Sequence, residues 1–458
     1  MSEPKVGTVR DGRPDRLAPL QGLAGQTSGE TVALALARKS RAAEPTDEAE
    51  LYARRLSRCE PVAMRAAQLL WSALVGTSLP AVSAAALAQT LTGFDERPET
   101  MSPDLTERTV RTALGRSPLQ AYAAFDPEPF GAGPTSQVHA AVLPDGRRVA
   151  VKIRYAGISQ AVRSALAAPE LHRALEPIVR AAAGEQTAAR IHAVAGELRG
   201  RVDQILGLRA EAAVQAELAE AYREDPFIRV PDVLGELSTE RVLTMELAAG
   251  RDWAQALQAD AAERDRWGET IYRFAVASRI AVDPGPGNYL FHDDGAVSFL
   301  GFSTAARLEP EQAAALARRA RAVALHDADE LRALHAEHCG YDDPGADAQA
   351  LSTWHGRIRG PLAGPGPATC TPEWAADAAQ AALPAQRPCE SAHQAPKASR
   401  NCLFATDIDT GLAAVLGALR ATADWDGPRE RQDRGGAPAG HTTGKTRVRL
   451  AGGTDGAA

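Results

Sequence analysis

Residues 136 to 154 constrain the fold of this chain more than any other stretch. Ser136–Leu143 and Arg148–Arg154 alternate with the period of β-strands, and the second run puts Val149, Val151 and Ile153 on one side. Pro144-Asp145-Gly146 lies between them. Proline presets the first turn dihedral, aspartate bonds its own backbone and glycine accepts a positive φ, so the tripeptide predicts a tight turn. An antiparallel hairpin is therefore set into a chain whose other periodicity is mostly helical.

Residues 30–120 read as helices with short breaks. A helical stretch covers 157–222, with Ile191, Val194, Leu198, Val202 and Ile205 recurring at three and four as one buried stripe. Two more strands are expected at Val230–Leu237 and Arg241–Leu247, and a helix at 261–281. The loop from Asp283 to Asn288 leads into a second hairpin, Tyr289–His292 and Ala296–Leu300, turning at Asp293-Asp294-Gly295. Helices follow from 309, and the Pro- and Gly-rich stretch 359–400 reads as a long loop. This order predicts an α+β, two-lobed molecule. Its expected parts are a disordered start (1–30), a helical extension (31–120), a small lobe with inserted helices (121–250), a helical lobe (251–432) and a disordered tail (433–458).

The 45% hydrophobic content of the 458 residues is ample for such cores. A formal net charge of -7 argues against a broad nucleic-acid footprint. Five scattered cysteines without a CxxC pair argue against a disulfide framework and for a reducing cytosol. The apolar run Pro61–Leu91 is interrupted by Arg65, Gln68, Ser72 and Pro80. A membrane span needs about 20 nearly uninterrupted apolar residues, so peripheral contact with a membrane is the most this run allows. Two motifs are decoys. His335, His338 and Cys339 lack a fourth metal ligand and read as a helix end. Gly440–Thr446 imitates a phosphate-binding loop, but it has one residue too few between its glycines and no strand before it.

The chemistry gathers on a few side chains. This arginine-rich chain has only five lysines, at 5, 39, 152, 397 and 445. Lys152 is therefore the one lysine between Lys39 and Lys397, at the end of an apolar strand. A site that needs a compact ammonium rather than a planar guanidinium, such as one facing phosphates, explains the choice. Such a lysine needs a carboxylate from a neighbouring helix, and Glu211 is the candidate. Asp283-Pro284-Gly285-Pro286-Gly287-Asn288 offers an acid and an amide five residues apart on a stiff loop, suited to metal binding or hydroxyl orientation and equally to a plain turn.

Together these segments resemble the UbiB/AarF atypical kinases. The resemblance lies in Ser136-Gln137-Val138-His139, Leu143-Pro144-Asp145-Gly146, Val149–Tyr155, Glu236–Glu246, Asp283-Pro284 through Asn288-Tyr289-Leu290, and Ala421-Thr422-Ala423-Asp424-Trp425. It implies a protein-kinase-like fold that binds ATP and a link to quinone and other isoprenoid lipids. Lys152 and Glu211 would be the nucleotide-gripping pair. Val242–Leu247, with Met245, Glu246 and Leu247, would meet adenine. Asp283 would be the catalytic acid and Asn288 a magnesium ligand.

The departures from the family decide the functional expectation. Its Leu-Asp-Phe-Gly is here Leu300-Gly301-Phe302-Ser303, so the principal magnesium acid is a glycine. Its Lys-x-Gly-Gln is Arg65-Ala66-Ala67-Gln68, its alanine-rich nucleotide loop is Gly131-Ala132-Gly133-Pro134, its Glu-x-Asp falls on Ile205 and Gly207, and its loop histidine is Gly285. The expectation is a pseudokinase that binds ATP weakly and without magnesium and acts by binding a protein or lipid partner. The alternatives are an unusual ATPase or small-molecule kinase using Asp283 and Asn288, and a purely structural protein.

Overall fold

The computed structural model describes residues 65–66, 69–70, 73–74 and 100–425, except 134, 170, 173–174, 177–178, 181–184, 279, 282–285, 303–305, 308–309, 340–346 and 383–398. The two expected disordered ends, most of the helical extension and the Gly440–Thr446 decoy lie outside the described residues.

The first hairpin forms where its alternation predicts. Helix α1 (Pro103–Leu114) is capped by the Ser102 side chain at its start and by Gly115, at φ 71°, at its end. Strands β1 (Ala124–Phe125), β2 (Gly131–Ala132), β3 (Ser136–Val142) and β4 (Arg148–Arg154) follow. β3 and β4 pair antiparallel, with Val138 opposite Lys152 and Ala140 opposite Ala150. Gly146 sits in the turn at φ 87°, and the Asp145 carboxylate accepts from the Arg147 backbone and guanidinium.

The inserted helical stretch is several helices rather than one. α2 (Ile158–Ala167) and α3 (Ile191–Ile205) pack together, and Ala66 and Leu70 of the extension join their core. The predicted stripe lies in this interface, with Ile191, Val194 and Val202 buried and Leu198 and Ile205 packed beside them. Gly207, with extended ψ of 128°, breaks the run and starts α4 (Leu208–Ala221).

Three sequence expectations are corrected. Val230–Leu237 is not a strand. Pro231 has no N–H for a ladder, only Val233 bridges across to Met245, and Gly235–Leu237 is a 3-10 turn. The strand in this region is β5 (Ile228–Arg229), which pairs parallel with the second hairpin and thereby ties the lobes together. β6 (Val242–Glu246) then completes a five-stranded sheet in the order β1-β3-β4-β6, with β2 also on β3. Helix α5 (Ala261–Ala277) ends four residues early, because Ile280–Ala281 forms β7.

The second hairpin, β8 (Tyr289–Phe291) and β9 (Val297–Phe299), is as expected, and β10 (Ala306–Arg307) pairs with β7. Helices α6 (Pro310–Ala324), α7 (Ala328–Cys339) and α8 (Ala348–Arg359) follow. The third correction concerns 359–382 of the supposed loop 359–400, since 383–398 lie outside the described residues. That stretch holds β11 (Pro367–Thr369) and α9 (Pro372–Ala381), whose Thr371 cap and first-position proline are ordinary start signals outweighed by the local Pro/Gly content. α10 (Ser399–Leu419) and β12 (Thr422–Asp424), paired with β11, end the described chain. Asp409 of α10 is buried between Arg319 of α6 and Arg359 of α8, which pins three helices through one carboxylate.

The large lobe is built on Trp267, Tyr272, Phe274, Phe291, Phe299 and Trp425. α5 approaches the C-terminal segment so closely that a Cβ on Gly268 would lie 2.3 Å from the Ala421 Cβ. Overpacking a tight core costs about 1–3 kcal/mol. Gly268→Val is expected to destabilise the protein by that order, read as a lower urea midpoint.

Behind the small-lobe sheet, Gln137 and His139 form a closed polar network. The Asp126 carbonyl can only accept, so His139 Nδ1 donates to it (2.9 Å) and Nε2 accepts from the Gln137 amide (2.7 Å). That amide also donates to Thr106, and its oxygen accepts from the Met101 N–H (2.7 Å). Burial holds the His139 pKa below its ordinary 6.5. Below that pH the unfolded chain takes up a proton that the folded one resists, so stability falls on acidification. The denaturation midpoint should drop from about pH 7.5 to about pH 5.5. His139→Gln should flatten that slope in part, since His172 and His292 are depressed likewise and remain.

Candidate functional site

Strand alternation gives the small-lobe sheet two unlike faces. One carries Gln137, His139, Ala141, Val149, Val151, Ile153, Val242 and Thr244, all buried. The other carries the cross-strand rows Val138–Lys152–Leu243 and Ala140–Ala150–Met245. On this second face Val138, Ala140, Lys152 and Met245 are only half-buried. It is a mostly apolar, partly exposed floor that carries one cation.

Helix α4 crosses this face. Leu208 and Ala212 pack on Leu243, with Met245 at the edge. Glu211 lies between them in the helix's first turn, where the helix dipole favours a carboxylate. Lys152 Nζ donates to both Glu211 oxygens at 2.8 Å, and the side chains are 15% and 3% exposed. The two residues chosen from sequence, 59 positions apart, are brought together. One turn on, Gln215 donates to the Pro231 carbonyl (2.8 Å) and contacts the Met245 sulfur (3.4 Å), fixing that side chain over the floor.

The expected adenine strand is only partly available. Met245 lies on the Lys152 face and is half-buried. The N–H of Glu246 already donates to the Asp232 carbonyl and that of Leu247 to the Arg148 carbonyl. The missed floor residues are Val138, Ala140 and Ala150. Their signal was the register of the hairpin, which puts them on the Lys152 side.

The altered loop before β3 is tight. The Gly133 N–H is spent on the Ser136 carbonyl (2.8 Å), while Phe130 beside it is exposed. Pro134 lies outside the described residues, as do Gln68, Asp283, Gly285 and Ser303. Ile205 packs in the α2–α3 core. A Cβ on Gly207 would lie 2.5 Å from a Glu240 carboxylate oxygen and 3.1 Å from the Asp203 carbonyl. Neither position supplies an acid.

Asn288 and Gly301 meet at the end of the second hairpin. Gly301 has φ 73°, and a Cβ on it would lie 1.9 Å from Asn288 Oδ1. The amide thus lies against the α-carbon where the family's acid would project. Asp293 and Asp294 do not fill that role, because they are engaged by Arg251 and Arg229 around the hairpin turn. The helix-end cluster is also resolved in part: His335 and His355 bond through their Nε2 atoms (2.9 Å).

Removing one partner of a buried ion pair costs about 3–5 kcal/mol, whereas replacing both by apolar groups is often neutral. Lys152→Met should therefore destabilise the protein by about that amount. Lys152→Met with Glu211→Leu should recover most of it, read from urea midpoints.

Comparison with known proteins agrees with this geometry. Atypical kinase COQ8B of Rattus norvegicus is 35% identical over 155 residues, covering 33% of this chain and 28% of that protein. AarF domain-containing protein kinase 1 of Xenopus tropicalis is 29% identical over 206 residues, covering 43% and 37%. The chain thus spans well under half the length of these relatives. The fold is shared with Rv3197 of Mycobacterium tuberculosis, solved in complex with erythromycin, at a TM-score of 0.53 and 21% identity over 72% of this chain and 82% of that one. Residues 94–335, more than half of the sequence, match the ABC1 atypical kinase-like domain. With Lys152 joined to Glu211 beneath a kinase-like sheet, the chain belongs to the ABC1 atypical kinase-like family, the UbiB/AarF kinases.

Proposed function

We propose that this protein is a nucleotide-binding pseudokinase, with metal-dependent phosphoryl transfer impaired. ATP would lie on the floor formed by Val138, Ala140, Ala150 and Met245, with its phosphates toward Lys152. A compact ammonium held by Glu211 is the grip that a polyphosphate needs.

Magnesium fits the residues poorly. It is held in such sites by one or two carboxylates together with phosphate oxygens. Gly301 brings no oxygen, and the Asn288 amide rests against it. Losing a preorganised electrostatic contact of this kind costs about 3 kcal/mol of transition-state stabilisation, a hundredfold or more in rate. The single observation carrying the reading is that the chain keeps the Lys152–Glu211 pair and has a glycine at 301 in place of the acid.

The output of such a cleft is a nucleotide-dependent shape rather than a phosphorylated product. A protein partner or an isoprenoid lipid at a membrane surface would read that shape. No helix among the described residues is long and apolar enough to cross a membrane.

Thermal denaturation with ATP tests the proposal. Ligand at a hundred times its Kd stabilises by about 2.7 kcal/mol. The expected shift is equal with magnesium and with chelator, and absent in Lys152→Ala. Stabilisation that strictly requires magnesium would overturn the reading. Phosphate release that vanishes in Asp283→Ala would replace it with a working ATPase.

A further inference from the structure

Gly301 is not explained by backbone shape alone. Its φ of 73° lies in the left-handed region. Aspartate and asparagine enter that region more readily than other residues with a side chain. What excludes a side chain there is Asn288. A Cβ on Gly301 would lie 1.9 Å from its Oδ1, 2.6 Å from its Cγ and 3.2 Å from its Nδ2, so the whole amide occupies that volume.

The backbones that carry the two residues are fixed. Tyr289 pairs with Phe299, and the Leu300 N–H donates to the Asn288 carbonyl (2.8 Å). Phe302, the next residue, is anchored in the large-lobe core at 2% exposure. The hairpin therefore holds positions 288 and 301 side by side.

We infer that positions 288 and 301 share one volume that admits one side chain at a time. With glycine at 301, the Asn288 amide folds over the α-carbon and is withdrawn from the cleft. With an acid at 301, the amide is expelled toward the cleft. Replacing one acid thus disables two cation ligands, because the second is drawn into the gap left by the first. Asn288 is a positioning residue here: it fills the gap and keeps a neutral amide where a carboxylate would attract a cation. The sharing of volume stands on the hairpin geometry. Only the consequence for cations rests on the proposed nucleotide cleft.

Two measurements on the full chain test this, and they fail separately. The first is a double-mutant cycle on stability without ligand, from Gly301→Ala and Asn288→Ala. The strain of a side chain at positive φ enters both arms and cancels. Gly301→Ala should reduce the folding equilibrium constant several-fold more in the presence of Asn288 than in the Asn288→Ala background. Additivity would overturn the shared volume, whatever the cleft binds. The second reads cation-dependent ATP affinity by calorimetry. Asn288→Ala should leave the affinity with magnesium within about twofold in the wild-type background and lower it about tenfold or more in the Gly301→Asp background. An equal loss in both backgrounds would show that Asn288 already serves a cation and would overturn its withdrawal. The absence of any ATP binding would overturn the cation consequence and the nucleotide reading, and leave the stability cycle to decide the geometry.

Discussion

The contact between Lys152 and Glu211 is the constraint on which the working half of the molecule depends. It joins the middle strand of the small-lobe sheet to a helix 59 residues further on. Two charges taken out of water cost several kcal/mol each in desolvation, and their attraction offsets this only with good geometry. The bidentate contact supplies that geometry, and the packing of Leu208 and Ala212 on Leu243 holds it in place. The pair is best understood as specifying an arrangement rather than as a large store of stability. It fixes Glu211 of α4 to Lys152 of β4.

A second contact, smaller and uncharged, governs what that floor can do. Asn288 lies on Gly301 because close packing does not leave a methyl-sized gap unfilled. The two contacts are opposite in character. One keeps a charge positioned at the cleft, and the other replaces a charge with a neutral amide. In the proposed reading, the first contact would serve an anion and the second would offer little to a divalent cation.

Much of this was legible before any coordinates. The first hairpin, the α3 stripe and the second hairpin rest on short-range period, and Lys152 rests on a residue choice that stands out against an arginine-rich background. The failures share a cause too. At Val230–Leu237 an apolar composition suggested a strand, while Pro231 and Gly235 sent the chain into an isolated bridge and a turn. At 372–381 proline and glycine nearby hid a helix whose cap, Thr371-Pro372, was in plain view. At Ile280–Ala281 a helical pattern ran on into a two-residue strand, because its partner, Ala306–Arg307, lies in another part of the sequence. Local pattern cannot weigh a competing long-range pairing.

The sequence by itself determined the class of molecule, the lysine that marks its cleft and the absence of an acid at position 301, because these depend on residue type and near-neighbour spacing. Tertiary structure decided the rest. It brought Glu211 to Lys152, turned Val138, Ala140 and Ala150 to the same side as the lysine, spent the Glu246 and Leu247 N–H groups inside the protein, and laid Asn288 over Gly301. Those outcomes depend on strand register and on which side chains compete for one volume. Neither is defined until segments far apart in the chain are packed together.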